Sequence, residues 1–160
     1  GLGDVYKRQP QALALRLAAF SRCRLTLSTA FVGPDTAAAA LPGTFDFVVD
    51  AIDTLSGKLA LVEHCRARGV PLVSCMGAGN RLDAGRFAVR DIYATAGCPL
   101  ARRMRSELRK RGVDALPVVC SDEPPHIRTG GGAIGSLAPV TAAAGLVAAD
   151  HVLLSLLGLR

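Results

Sequence analysis

Asp50 and Asp53 close the apolar run Phe45-Asp46-Phe47-Val48-Val49 and precede Thr54 and the start of a helical pattern. Such a run, ending in carboxylates with a helix beginning nearby, puts those acids at the carboxyl edge of a parallel sheet, where open α/β folds bind ligands. Two carboxylates there can hold Mg2+, and the metal can bridge the phosphates of a nucleotide. The competing role for Asp53 is to cap the next helix. Lys58 lies in the first turn of that helix, placed either to approach a phosphate or to sit as solvated surface. Along the same edge, Met76-Gly77-Ala78-Gly79-Asn80 follows the next strand. Gly77 and Gly79 permit positive φ and close approach of backbone to ligand, although an ordinary turn has the same composition.

A literal G-x-G-x-x-G occurs at Gly130, Gly132 and Gly135, but Asp122-Glu123-Pro124-Pro125-His126 precedes it in place of a strand. No acid stands at position 155 to meet a ribose, so a flexible loop is the expectation there. The most basic stretch holds Arg102, Arg103, Arg105, Arg109, Lys110 and Arg111. Leu100, Met104 and Leu108 recur between them at helical spacing, so one stripe packs inward while the cations project toward solvent or a phosphate backbone. Cys98, at the head of this helix, has a thiolate favoured by the helix N-terminus, which makes it a candidate nucleophile or conjugation point beside the plainer role of core packing.

These groups need a frame, and the periodicities supply one. Residues 11–20 read as a short helix, 22–28 as a half-buried strand alternating Cys23, Leu25 and Leu27 with Arg22, Arg24 and Thr26, and 33–41 as a helix with Pro34 in its first turn. Strand 45–49, helix 56–69 and strand 70–75 follow. Such alternation predicts right-handed crossovers in a mostly parallel sheet. Beyond it come a strand at 86–92, a helix at 99–111, a strand at 116–120, a Pro- and Gly-rich loop over 121–137 and an apolar helix at 137–157. The last is long enough to span a membrane, but Asp150 and His151 and its many small residues favour a helix buried on the sheet, with no stable membrane insertion.

With 160 residues the chain fits one domain. Half the residues are hydrophobic but only 4% aromatic, which predicts an aliphatic core and argues against a base-stacking platform. A formal charge of +6 favours an anionic partner such as RNA, DNA or a nucleotide. The five cysteines are odd in number and form no C-x-x-C pair, which predicts reduced thiols, a cytoplasmic setting and no zinc. Residues 1–9 have no clear period and read as a foreign or cut N-terminus, leaving 10–160 as a single domain.

Taken together, F-D-F-V-V-D-A-I-D-T, K-L-A-L-V-E-H-C-R-A-R-G-V-P-L-V-S-C-M-G-A-G-N-R-L-D, C-P-L-A-R-R-M-R-S-E-L-R-K-R-G and the final apolar helix resemble the ThiF-type adenylating superfamily, and within it the tRNA threonylcarbamoyladenosine dehydratases. The resemblance implies a Rossmann-like fold and an enzyme that uses ATP and Mg2+ to activate the carboxylate of threonylcarbamoyladenosine at position 37 of tRNA, closing it to a cyclic form. It implies further that Asp53 contacts Mg-ATP as the catalytic carboxylate and that the basic helix is a place for tRNA; Asp50, Lys58, Gly77 and Gly79 stand beside it as cofactor candidates from their place at the sheet edge. Homodimers and sulfur-transfer partner proteins are also implied. The family's N-terminal strand, its nucleotide-binding glycine turn and the arginine-bearing segment after it do not appear in this sequence, so the expectation is a domain truncated on its N-terminal side, with little turnover alone. The alternatives are activation of a ubiquitin-like or sulfur-carrier protein with Cys98 as thiol acceptor, and a non-catalytic RNA-binding or dimerisation module.

Overall fold

Short aliphatic runs separated by amphipathic stretches pair side by side once helices cover their faces, and the chain follows that rule. The computed structural model describes residues 2–126 and 134–159, with side chains from Gln9 onward; Gly130 and Gly132 lie outside the described residues. In chain order the elements are α1 (Leu2–Ala18), α2 (Ala37–Ala40), β1 (Val48–Asp50), α3 (Leu55–Ala67), β2 (Leu72–Cys75), β3 (Phe87–Asp91), α4 (Pro99–Lys110), β4 (Pro117–Ser121) and α5 (Ala138–Leu156). The four strands form one open sheet in the order β1-β2-β4-β3. β1, β2 and β4 run parallel, and β3 returns antiparallel on β4, pairing Phe87 with Ser121 and Asp91 with Pro117.

Alternation along the strands sorts their side chains into two layers. Val48, Leu72, Val118 and Cys120 face α3 and α4, where Leu59, Val62, Met104 and Leu108 complete the larger core. Val73 and Val119 point the other way, onto Val140, Ala144 and Ala148 of α5. The sheet is therefore covered on both faces, as the mostly parallel α/β expectation requires.

Three expectations need correction. Residues 22–28 form no strand: Leu25 and Leu27 are exposed, and the hydrogen bonds at the two ends of the segment are local, the Cys23 N–H donating to Ser21 Oγ and the Ala30 N–H to Ser28 Oγ. Alternation gives a segment two faces, but a strand also needs a partner, and among the described residues this segment pairs with none of the four strands, although β1 lies at the edge of the sheet. The helix expected from residue 11 already runs from Leu2, with Pro10 inside it, so the segment without clear period is helical as well. Finally, α5 is not a buried helix. Val140, Ala144 and Ala148 form one packed stripe at a spacing of four, whereas Leu146, Leu153 and Leu156 are exposed. By length and composition α5 is apolar enough to cross a membrane, and only a small part of it is buried in the fold. Its far end is held by Phe47, whose ring meets His151 edge-on at 5.9 Å.

Candidate functional site at the carboxyl edge of the sheet

β1 ends in Asp50, and that carboxylate is buried, 1% exposed. Asp50 Oδ2 accepts from Lys58 Nζ at 3.1 Å and from the Ser74 hydroxyl, while Oδ1 accepts the Ile52 N–H. Lys58 is itself fully buried; its ammonium also donates to the Cys75 carbonyl at 2.7 Å and to Ser74 Oγ at 3.4 Å. An ammonium has three protons, and all three have protein acceptors. Lys58 is thus neither solvated surface nor free for a phosphate, and Asp50 is an internal counter-ion that shares no ligand site with Asp53. The pair ties α3 to the ends of β1 and β2. Burying two charges is tolerable only because each polar atom is satisfied.

Asp53 has the opposite environment. It is exposed, and it does not cap α3: the N-cap residue is Thr54, without a side-chain cap. Asp53 lines a cavity of about 610 Å3 together with Ala51, Ile52, Thr54, Gln9, Pro10 and residues 28–32. Gly57 sets the approach of α3 to this wall, since a Cβ there would lie 2.6 Å from the Val32 carbonyl oxygen and 2.7 Å from Ile52 Cδ1. One exposed carboxylate fits a magnesium ion that is already chelated by phosphates and draws few ligands from protein. Among the described residues no cluster of three or more His, Cys, Asp or Glu side chains forms a metal cage.

Gly77 and Gly79 do not line that cavity, and neither adopts positive φ. Only at Gly79 does the fold itself require the small residue. A Cβ at Gly79 would collide with Ile134 Cγ2 at 2.3 Å, and one at Gly77 would touch Cys98 Sγ at 3.7 Å.

The basic helix α4 is amphipathic as expected, with Met104 and Leu108 buried. Its cations are less free than their number suggests. Arg111 pairs with Glu63 at 2.8 Å and with Glu107, which also holds Lys110. Arg105 donates to the Thr95 carbonyl and hydroxyl, and Arg109 lies 5.1 Å over the Tyr93 ring. Hydrogen bonds from Lys110 and Arg111 hold the Glu107 carboxyl below its usual range. Arg102 and Arg103 are exposed and complete the outward face near the start of the helix.

Several polar groups escaped sequence reasoning. Glu123 is buried and accepts the Leu82 and Asp83 N–H groups as well as His126 Nε2, at 2.9 to 3.2 Å. Burial raises its pKa, but those donors outweigh it and the net shift is downward. Asn80 fastens the same region from the other side, exchanging backbone and side-chain hydrogen bonds with Gly135 and accepting the His126 N–H. Arg81 is 2% exposed, with its Nη2 on the Gly97 carbonyl. A Pro- and Gly-rich loop signature gives no hint of which carboxylate it will bury, and no periodicity marks a buried arginine in a turn. Cys98, by contrast, stood out in the sequence, and it is the N-cap of α4, with its Sγ accepting the Ala101 N–H at 3.5 Å.

Comparison with known proteins agrees with this architecture. No family model matches the chain. Over 129 residues it is 36% identical to the tRNA threonylcarbamoyladenosine dehydratase of Bacillus subtilis (strain 168), covering 70% of this chain and 51% of that protein. The enzyme of the same name from Escherichia coli (strain K12) is 32% identical over 158 residues, covering 82% of this chain and 59% of that protein. The chain thus spans about half to three fifths of the length of these curated relatives. Crystal structures of E. coli tRNA N6-threonylcarbamoyladenosine dehydratase, TcdA, superpose closely. The complex with AMP gives a TM-score of 0.84 at 29% identity over 94% of this chain and 64% of that one; the complex with ATP gives 0.82 at 31% identity over 93% and 63%. The chain is a homologue of the tRNA threonylcarbamoyladenosine dehydratases and matches the C-terminal part of these proteins.

Proposed function

We propose that this chain serves the ATP-dependent cyclisation of N6-threonylcarbamoyladenosine at position 37 of tRNA, through adenylation of its carboxylate. The observation that carries the reading is the exposed Asp53 carboxylate at the end of β1, on the wall of a cavity of about 610 Å3, in a fold that superposes on nucleotide complexes of TcdA. The carboxylate would accept the adenylyl group of ATP with loss of pyrophosphate, and AMP would then leave with the oxygen that cyclisation expels. Asp53 would hold magnesium-chelated phosphates at the pocket wall, a role suited to an exposed carboxylate that no cation pairs with among the described residues. Asp50 and Lys58 keep the two strand ends and the start of α3 in register, so that the loop bearing Asp53 stays fixed. Arg102 and Arg103 lead the face that meets the tRNA backbone, with Arg105, Arg109, Lys110 and Arg111 behind them. The same reading expects a cytoplasmic homodimer.

The test is a chimera in which this chain replaces the matching part of the B. subtilis relative. With ATP, Mg2+ and tRNA carrying threonylcarbamoyladenosine, the chimera is expected to release AMP only when the modified tRNA is present. Asp53→Ala should slow that release about a hundredfold. A chimera that folds and binds ATP yet forms no AMP with the modified tRNA, or one indifferent to loss of Asp53, overturns the reading.

A further inference from the structure

At the amino edge of the sheet, opposite the end that carries Asp53, a second cavity of about 320 Å3 lies between the turns that lead from α3 into β2 and from α4 into β4. Both helices end on a glycine with positive φ, Gly69 at 65° and Gly112 at 61°, a conformation that glycine adopts without strain. The chain then turns back, with the Val70 N–H on the Cys65 carbonyl and the Val113 N–H on the Leu108 carbonyl, and each turn brings its valine to the cavity wall. Leu116 is fixed there by its N–H, which donates to Asp91 Oδ2 at 3.0 Å. Val62 of α3 and Leu72 of β2 extend this apolar lining, and Cys65 adds a neutral sulfur, because burial raises its thiol pKa. The volume lies at the lower end of the range of about 300 to 1,000 Å3 that small-molecule sites occupy.

Two opposite charges stand in the lining of this apolar cavity, Arg66 on α3 and Asp114 on the turn before β4. They pair neither with each other nor, among the described residues, with any other charged side chain; Arg66 makes one long hydrogen bond, from Nη1 to the Arg111 carbonyl at 3.5 Å. A cation and an anion that line one small cavity and stay apart leave both ends open to a molecule that meets both. We propose that this cavity binds a small aliphatic α-amino acid, its side chain on Val62, Leu72, Val113 and Leu116, its carboxylate on Arg66 and its ammonium on Asp114. A guanidinium offers parallel N–H donors to a carboxylate, and the Asp114 carboxylate accepts from an ammonium. Half of such a ligand does not satisfy the site: a fatty carboxylate meets Arg66 but is repelled by Asp114, and an aliphatic amine has the reverse difficulty. Both charges are solvent-exposed, so each contact is worth about two- to fivefold in affinity.

Three probes separate the contributions: norleucine, hexanoate, which is norleucine without its amino group, and pentylamine, which is norleucine without its carboxyl group. Each is titrated into the isotope-labelled chain while the amide resonances are followed by NMR. Norleucine is expected to move the amides of 62–72 and 113–117, to leave those of 51–54 in place, and to bind more tightly than either other probe. Asp114→Asn should weaken norleucine about two- to fivefold without weakening hexanoate, and Arg66→Gln should weaken norleucine similarly without weakening pentylamine. Both side chains are exposed, so neither change threatens the fold. The proposal is overturned if norleucine moves no amide of the two turns, if hexanoate or pentylamine binds as tightly as norleucine, or if either charge variant binds norleucine as well as the parent.

Discussion

Asp50 and Asp53 are the same residue type three positions apart, and the fold gives them opposite work. Asp50 carries a buried charge balanced by Lys58, so removing either partner leaves the other desolvated and alone. Asp50→Ala or Lys58→Met is expected to cost about 3 to 5 kcal/mol in urea unfolding. The double variant Asp50→Leu with Lys58→Met, which removes both charges, should cost clearly less than the sum of the single changes, because neither charge is left unpaired. Asp53→Ala should leave the unfolding midpoint within about 0.5 kcal/mol of the parent, since its side chain is exposed and caps nothing. Equal losses at both aspartates would contradict this division. The spacing in the sequence showed two candidate acids at one sheet edge, but it contained nothing to say which would be buried, because that depends on Ser74 and Cys75 arriving from the neighbouring strand.

At the scale of elements, the loop that bears Asp53 is positioned by close packing at the start of α3. Gly57→Ala would push a methyl group into the Val32 carbonyl, Ile52 and Thr54. A cost of about 1 to 3 kcal/mol is expected, together with weaker nucleotide binding in the chimera, as melting and titration would show. The strap formed by residues 122–126 is held differently, by charge. Glu123 has a lowered carboxyl pKa in the fold, so it contributes stability above its unfolded value of 4.5 and loses that contribution as pH falls through the folded value. Urea midpoints should therefore drop on acidification below about pH 4.5, and Glu123→Gln should flatten that part of the profile. A variant with the parent's acid limb would show that the buried carboxylate is not what holds the strap. Elements such as α3, β2 and α4 were legible in the sequence because their periodicity is internal to each segment. The strand expected at 22–28 failed for the complementary reason: pairing is a property of two segments, and the alternation of Cys23, Leu25 and Leu27 describes only one.

For the whole molecule, parallel order and two-sided cover followed from alternating helix and strand patterns, whereas the exposure of α5 did not. Apolar composition reports what a helix is able to bury, and the area available on the sheet decides how much it does bury; Val140, Ala144 and Ala148 use that area, leaving Leu146 and Leu153 outside. Charge behaves the same way. A formal +6 suggests a broad basic face, yet Glu63 and Glu107 neutralise the end of α4, and Arg105 and Arg109 are turned onto Thr95 and Tyr93. On α4, what remains for an anionic backbone is concentrated at Arg102 and Arg103. Each phosphate contact releases condensed counterions, so the salt dependence of binding counts contacts. Replacing both arginines with alanine in the chimera should weaken tRNA binding and flatten the slope of log affinity against log salt by about 1.4 to 1.8, while ATP binding stays unchanged. Replacing Arg109 and Arg111 should change that slope far less and lower the melting temperature instead, because those side chains are committed to Tyr93, Glu63 and Glu107. Equal slope changes from the two pairs would mean that tRNA breaks the internal ion pairs and takes the whole helix as its face.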